Sequence, residues 1–134
     1  MSNQLETEKI EAVIINPTTV IVRGKSGVSF EGADAKKIIG MIEQVLPGDY
    51  MLISDRVNDY SVSPVGVYKY LNSCQRLQAI GIVTYRTISN AVSAVEKSLS
   101  KKPLQVFDNL DAALQWASNL MPLKPSSDEI EQQA

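Results

Sequence analysis

Apolar positions along this chain alternate between two spacings. Ile10-Glu11-Ala12-Val13-Ile14-Ile15 and Thr19-Val20-Ile21-Val22 are β-branched runs separated by Asn16-Pro17-Thr18. They predict an antiparallel hairpin with strands near 10–15 and 19–23. Gly24 and Gly27 then mark a turn. Over 32–46, Ala35, Ile38, Ile39, Ile42, Val45 and Leu46 recur at helical spacing. Pro47-Gly48 ends that helix. Tyr50-Met51-Leu52-Ile53-Ser54 follows as a continuous strand of the kind covered on both faces. A polar loop runs from Asp55 to Val62. Ser63-Pro64 then opens a helix over 64–74, with Val67, Leu71 and Cys74 inward. The next strand spans 79–85. Thr87 is expected to cap a helix with Ile88, Ala91, Val92, Val95 and Leu99 on its core face. A strand at 104–107 leads to Asp108, read as the cap of a last helix. Its stripe is Leu110, Ala113, Leu114, Ala117 and Leu120, and it carries Trp116, expected to pack against the sheet.

The order is β-β-α-β-α-β-α-β-α. Strands alternating with helices predict an α/β fold: a mixed, mostly parallel sheet with an N-terminal β-hairpin and four helices. The strands at 50–54, 79–85 and 104–107 are expected to be mutually parallel. The expected core is Ile38, Ile42, Leu52, Ile53, Ile82, Val83, Val92, Val95, Val106 and Leu114. The chain reads as a flexible tail over 1–8, one domain over 9–121 and a flexible tail over 122–134.

Composition narrows the chemistry. The 134 residues hold 13 basic and 15 acidic side chains, a net charge of −2. That leaves no basic footprint for nucleic acid. There is no histidine. Ser–His and Cys–His nucleophile pairs, imidazole bases and histidine metal ligands are therefore excluded. Carboxylate, Lys, Tyr or bare-Ser chemistry is what remains, and the expectation is a non-enzymatic protein without cofactor. Cys74 is the single cysteine. It reads as a buried apolar residue and implies a reducing, cytoplasmic setting. No apolar run approaches the ~20 residues of a membrane span.

Candidate residues cluster after the strand at 50–54. Asp55, Arg56 and Asp59 follow it, and Arg86 follows the next strand. The carboxyl ends of parallel strands are where α/β folds place ligands. Asp55 with Asp59 could hold a hard cation, but the plainer reading is a solvated rim with an Arg–Asp pair. Gly24-Lys25-Ser26 lacks the upstream glycine of a phosphate loop, since Thr19 stands there. Tyr50, Tyr60, Tyr68, Tyr70 and Tyr85 could ring a pocket. Tyr68 and Tyr70, two apart, cannot share a helix face. A homodimer is expected, through an exposed edge or face of the hairpin or through the second helix.

The closing Phe107-Asp108-Asn109-Leu110-Asp111-Ala112-Ala113-Leu114-Gln115-Trp116 and the element order resemble the SpoIIAA-like branch of the STAS superfamily, the bacterial anti-sigma-factor antagonists. The ending is also similar to small bacterial STAS or CRAL-TRIO-like proteins. The STAS resemblance implies a regulatory, protein-binding domain, phosphorylated by a partner kinase just before the second helix. The matching loop is Asp59-Tyr60-Ser61-Val62-Ser63-Pro64-Val65-Gly66-Val67. Aligning Gly66 with the family's second glycine puts Ser63 at the phosphoacceptor position. Pro64 replaces the first glycine, Ser61 the aspartate and Val62 a serine. Candidate phosphoacceptor or partner-binding residues are thus Ser63, Ser61, Asp55, Arg56, Asp59 and Tyr60. Ser63 also reads simply as a helix N-cap. The expected function is a STAS-like interaction domain with an unidentified protein partner. The alternative, from the CRAL-TRIO comparison, is a binder of a small apolar or lipid-like ligand.

Overall fold

The computed structural model of the protein describes residues 3–121, the side chains of 87–90 excepted. Its elements are β1 (Gln4–Glu6), β2 (Ile10–Asn16), β3 (Thr19–Gly24), β4 (Ser29–Phe30), α1 (Gly32–Val45), β5 (Tyr50–Arg56), β6 (Ser61–Val62), α2 (Pro64–Leu71), β7 (Leu77–Thr84), α3 (Thr87–Leu99), β8 (Leu104–Phe107) and α4 (Leu110–Leu120). The main sheet has six strands in the order β1-β2-β3-β5-β7-β8. β1, β2 and β3 run antiparallel, and β3, β5, β7 and β8 are parallel. This is the expected α/β class, with a mixed, mostly parallel sheet and four helices.

Local chemistry explains most of these elements. The Asn16 side chain accepts from the Thr18 N–H at 2.9 Å and from its hydroxyl at 3.0 Å, which closes the hairpin turn. β5 is buried along its whole length, as its apolar run required. The end of α1 is held from afar. Arg76 donates to the carbonyls of Glu43 and Leu46, groups that the helix terminus leaves without partners, and to that of Gly48 just beyond it.

The parallel strands are added in one direction, so same-handed crossovers put α1, α2 and α3 on one face. Ala35, Ile38, Ile39 and Ile42 of α1 and Val67, Tyr68 and Leu71 of α2 fill the core there, with Cys74 beside them. α4 covers the other face, where Ala113 and Ala117 meet Ile21, Met51, Ile53, Ala79 and Val83. Trp116 packs against the sheet on that face, its ring 5.5 Å from that of Phe107. Gly81 makes room for it. A Cβ there would lie 3.4 Å from the indole and 2.8 Å from the end of Ile53.

Several expectations need correction. Gln4–Glu6, placed in a loose tail, is an edge strand on β2. The hairpin edge offered for dimerisation is therefore covered, and among the described residues the sheet ends at β1 and β8. α4 is capped by Asn109, whose side chain accepts the Ala112 N–H at 2.8 Å, and not by Asp108. Leu114 is only half-buried, because the small Ala113 and Ala117 bring α4 closest to the sheet, and Val106, on the opposite face, is half-buried because β8 is an edge strand of the described sheet. Leu120 is exposed. α3 begins with Thr87 and has Arg86 at the cap position. Its face is turned: Ala91 is exposed and Val92 and Val95 are 39% and 49% exposed, while Ser93 and Glu96 are buried; Leu99 of the expected stripe does pack against the core. Ile88 of the same stripe falls among the side chains outside the description. So does the tail over 122–134.

Candidate functional site

The site grows from the end of β5. Successive strand residues point to opposite faces, so Ser54 and Arg56 go one way and Asp55 the other. Adjacent in sequence, Asp55 and Arg56 are separated by the sheet.

Asp55 is 3% exposed and joins Ile53 on the α4 face. Its carboxylate accepts from Arg23 Nε at 2.8 Å and from the Tyr85 hydroxyl at 2.8 Å. The expected Arg–Asp pair thus exists, but with Arg23, and its carboxylate is buried rather than on a solvated rim. Partial burial and the bond to this carboxylate push the Tyr85 hydroxyl up to about 12. Asp59 is exposed on the following loop, so the two carboxylates do not converge. Among the described residues, no group of three or more His, Cys, Asp or Glu side chains could hold a metal ion.

Arg56 points under α2 and α3 and is 9% exposed. Its Nη1 and Nη2 fork both oxygens of Glu96, with Nη2 to Oε1 at 2.6 Å. Nε donates to the Ser54 hydroxyl at 3.2 Å, and the Tyr68 hydroxyl donates to Glu96 Oε1 at 3.0 Å. Burial by itself would loosen the guanidinium proton, but the bonds and charge of Glu96 outweigh it and hold the proton more firmly. Burial, followed by the charge of Glu96, pushes the Tyr68 hydroxyl well above its ordinary value.

This pair explains why the middle of α3 turns Val92 and Val95 outward. Leaving a buried Arg without its partner costs about 3–5 kcal/mol. Burying a valine side chain completely is worth only about 1.5–3 kcal/mol, and Val92 and Val95 each lose about half of that. The charge therefore decides which stripe of the helix faces inward.

The loop after β5 is strapped to the segment after β3. Asn58 Nδ2 donates to the Gly24 carbonyl at 3.0 Å, and the Gly27 N–H to the Asp59 carbonyl at 2.8 Å. β4 and β6 pair in parallel, Ser29 with Ser61 and Phe30 with Val62. The Tyr60 ring lies on Gly24, where any Cβ would sit about 2.5 Å from it. Gly24 is thus required by a ring, not by the turn; Gly27, at φ 80°, is the turn residue.

Ser63 occupies the N-cap position of α2, but its side chain makes no capping bond. The ladder claims its backbone. Its N–H donates to the Phe30 carbonyl at 2.9 Å, and its carbonyl accepts the Val67 N–H at 3.2 Å. With ψ at 94°, the hydroxyl is left outside the helix-start network. The first turns of α1 and α2 meet here: a Cβ on Gly32 would lie 2.9 Å from the Gly66 carbonyl oxygen. Val65 projects outward, 70% exposed.

Two spaces border this region. A surface cleft of about 200 Å³ is lined by Arg56, Asn58, Asp59, Tyr60, Ser61, Val62, Arg86 and Val92. A smaller internal cavity of about 40 Å³ lies between the sheet and α1 and α2 and ends on Ser54, Arg56, Tyr68 and Glu96. The structure thus brings Arg56, Asp59, Tyr60 and Ser61 together at one cleft. Ser63 lies beside it at the start of α2, and Asp55 is excluded from it. Of the tyrosines expected to ring a pocket, only Tyr60 and Tyr68 reach this region. Tyr50 is buried under Arg76, at the amino end of β5, and donates to Glu43 at 2.8 Å. Tyr68 is buried, and Tyr70 half-buried on another face of α2. Glu96, Ser54 and Arg23 were not singled out from the sequence. Only Glu96 carried a signal, as the one acid within the apolar run Ala91–Leu99.

These features define an α/β domain with a strapped loop and a cleft at the carboxyl edge of its parallel strands, backed by a buried Arg–Glu pair. No family model, curated protein or solved structure matches the chain. Among the described residues, no helix is long and apolar enough to cross a membrane.

Proposed function

We propose that this protein is a non-enzymatic, STAS-like regulatory domain of the bacterial cytoplasm. It recognises a protein partner through the loop 57–63 and the first turn of α2. Phosphorylation at Ser63 or Ser61 controls that contact, and assembly into a homodimer uses an end strand of the described sheet, β1 or β8. The observation that carries this reading is the Ser63 hydroxyl. It takes no part in capping α2, although it sits at the helix start. A phosphate there gains from the positive end of the helix dipole without first breaking a cap. The strapped loop supports the same reading, because a binding loop held on a rigid scaffold loses little entropy on association. Val65 and the exposed Gly66 backbone add an apolar and a polar contact point.

The test is affinity capture from the native host with the parent protein and with Val65→Glu, Ser63→Asp and Ser63→Ala. The reading expects one stoichiometric protein partner, lost with Val65→Glu and weakened with Ser63→Asp. It fails if no partner is retained, or if all variants retain it equally and Ser61 and Ser63 carry no phosphate in cells. A second reading, a small apolar ligand held inside the fold, is favoured by the internal cavity.

A further inference from the structure

We propose that the internal cavity is a binding site for a small straight-chain carboxylic acid, whose carboxylate replaces that of Glu96 on Arg56. The proposal rests on the second reading and specifies its ligand. The cavity is apolar along most of its wall, with Val22, Leu52 and Ile80 from the sheet facing Ile38, Ile39 and Val67 from the helices. Among the described residues, Arg56 and Glu96 are its only charged lining residues, and they are bonded to each other, so the charge is gathered at one place on the wall. An apolar chamber with a single cationic terminus is complementary to an amphiphile with one anionic head.

The head-group site is already built. The two Nη groups of Arg56 and the hydroxyl of Tyr68 converge on a carboxylate, at present that of Glu96. The planar guanidinium fork matches any carboxylate in the same way. Exchanging Glu96 for a ligand carboxylate therefore leaves no buried cation unpaired, so the exchange avoids the large penalty of simply opening the pair.

Glu96 can be withdrawn because of how α3 is held. Its buried side chains among the described residues are Ser93 and Glu96, while Val92 and Val95 face outward. Among the described residues, the one apolar side chain by which the helix packs against the core is Leu99, in its last turn, which leaves the segment around Glu96 lightly held. A route from outside is also present. The surface cleft and the cavity share Arg56, Tyr60 and Val62 as lining residues, so these three side chains are the partition between them. At about 40 Å³ the cavity as it stands holds no more than a few waters. Occupancy therefore requires Glu96 to leave and Tyr60 to shift, and the room so opened limits the chain to medium length.

The test titrates the purified full-length protein with butanoate, hexanoate, octanoate and dodecanoate, and with 1-octanol as the uncharged control. Ligand-observed NMR and calorimetry supply the readouts. Each added buried methylene should tighten binding about fourfold up to octanoate, and dodecanoate should bind more weakly. Glu96→Gln, which weakens the internal competitor, should bind octanoate at least tenfold more tightly than the parent. The paired change Arg56→Met with Glu96→Leu, which keeps the interior neutral, should lose octanoate and retain 1-octanol. If octanoate and 1-octanol bind the parent equally, or Glu96→Gln leaves octanoate unchanged, the carboxylate site is refuted while an apolar ligand site stands. If neither binds the parent, both are refuted.

Discussion

Glu96→Ala is the most informative single change. It removes the carboxylate that takes both Nη groups of Arg56 and the hydroxyl of Tyr68. Arg56 is 9% exposed and Tyr68 2%, so water does not simply take over the lost bonds. Deleting one partner of a buried ion pair costs about 3–5 kcal/mol. The exposed Val92 and Val95 give little in return, because the backbone of α3 need not move. With a urea m-value of about 2 kcal/mol per molar, the denaturation midpoint should fall by about 2 M. Arg56→Met with Glu96→Leu, the paired apolar replacement, should come within about 1 kcal/mol of the parent or exceed it. The double-mutant cycle then yields a coupling energy of several kcal/mol, little changed by salt, since a buried pair is poorly screened. A fall of under 1 kcal/mol for Glu96→Ala would refute the reasoning. It would mean that α3 does not depend on the pair for its orientation.

Caps give a paired prediction: Asn109→Ala should lower stability by about 1 kcal/mol in urea unfolding, because its side chain holds the Ala112 N–H. Ser63→Ala should stay within about 0.5 kcal/mol, because no cap bond is lost. Gly32→Ala should cost about 1–3 kcal/mol, since its Cβ would meet the backbone oxygen of Gly66 rather than a movable side chain; an unchanged thermal midpoint would contradict this. Tyr85 titrates near 12 against an ordinary value of about 10. Its folded value is raised, so its bond to Asp55 contributes fully below about pH 10 and is lost as pH rises through 12. Unfolding curves for the parent and Tyr85→Phe should therefore converge across that window, and ultraviolet titration of tyrosinate gives the value directly.

The alternation of strands and helices was legible because its causes are local. The Asn16-Pro17-Thr18 turn, the α1 stripe ended by Pro47-Gly48, and the apolar run of β5 each act within a few residues. A run covered on both faces and followed by a helix implies a parallel neighbour, so the sheet type followed too. The site was legible only as a neighbourhood. Arg56, Asp59, Tyr60 and Ser61 were placed at the strand end and do share a cleft. Their partners were hidden, because a partner is chosen by packing across the chain. Glu96 lies forty positions from Arg56. Helical period alone assigns the valine stripe of α3 to the core, and only a buried cation from another element reverses it. Asp55 parted from Arg56 because β5 extends two residues beyond its apolar run, and strand alternation then acts on polar side chains. The Ser63 hydroxyl was freed by a two-residue ladder whose other strand, Ser29–Phe30, is too short to leave a pattern. Periodicity along the chain determines which elements form. Which face turns inward, where apolar gain competes with a buried charge, is decided only when the elements meet.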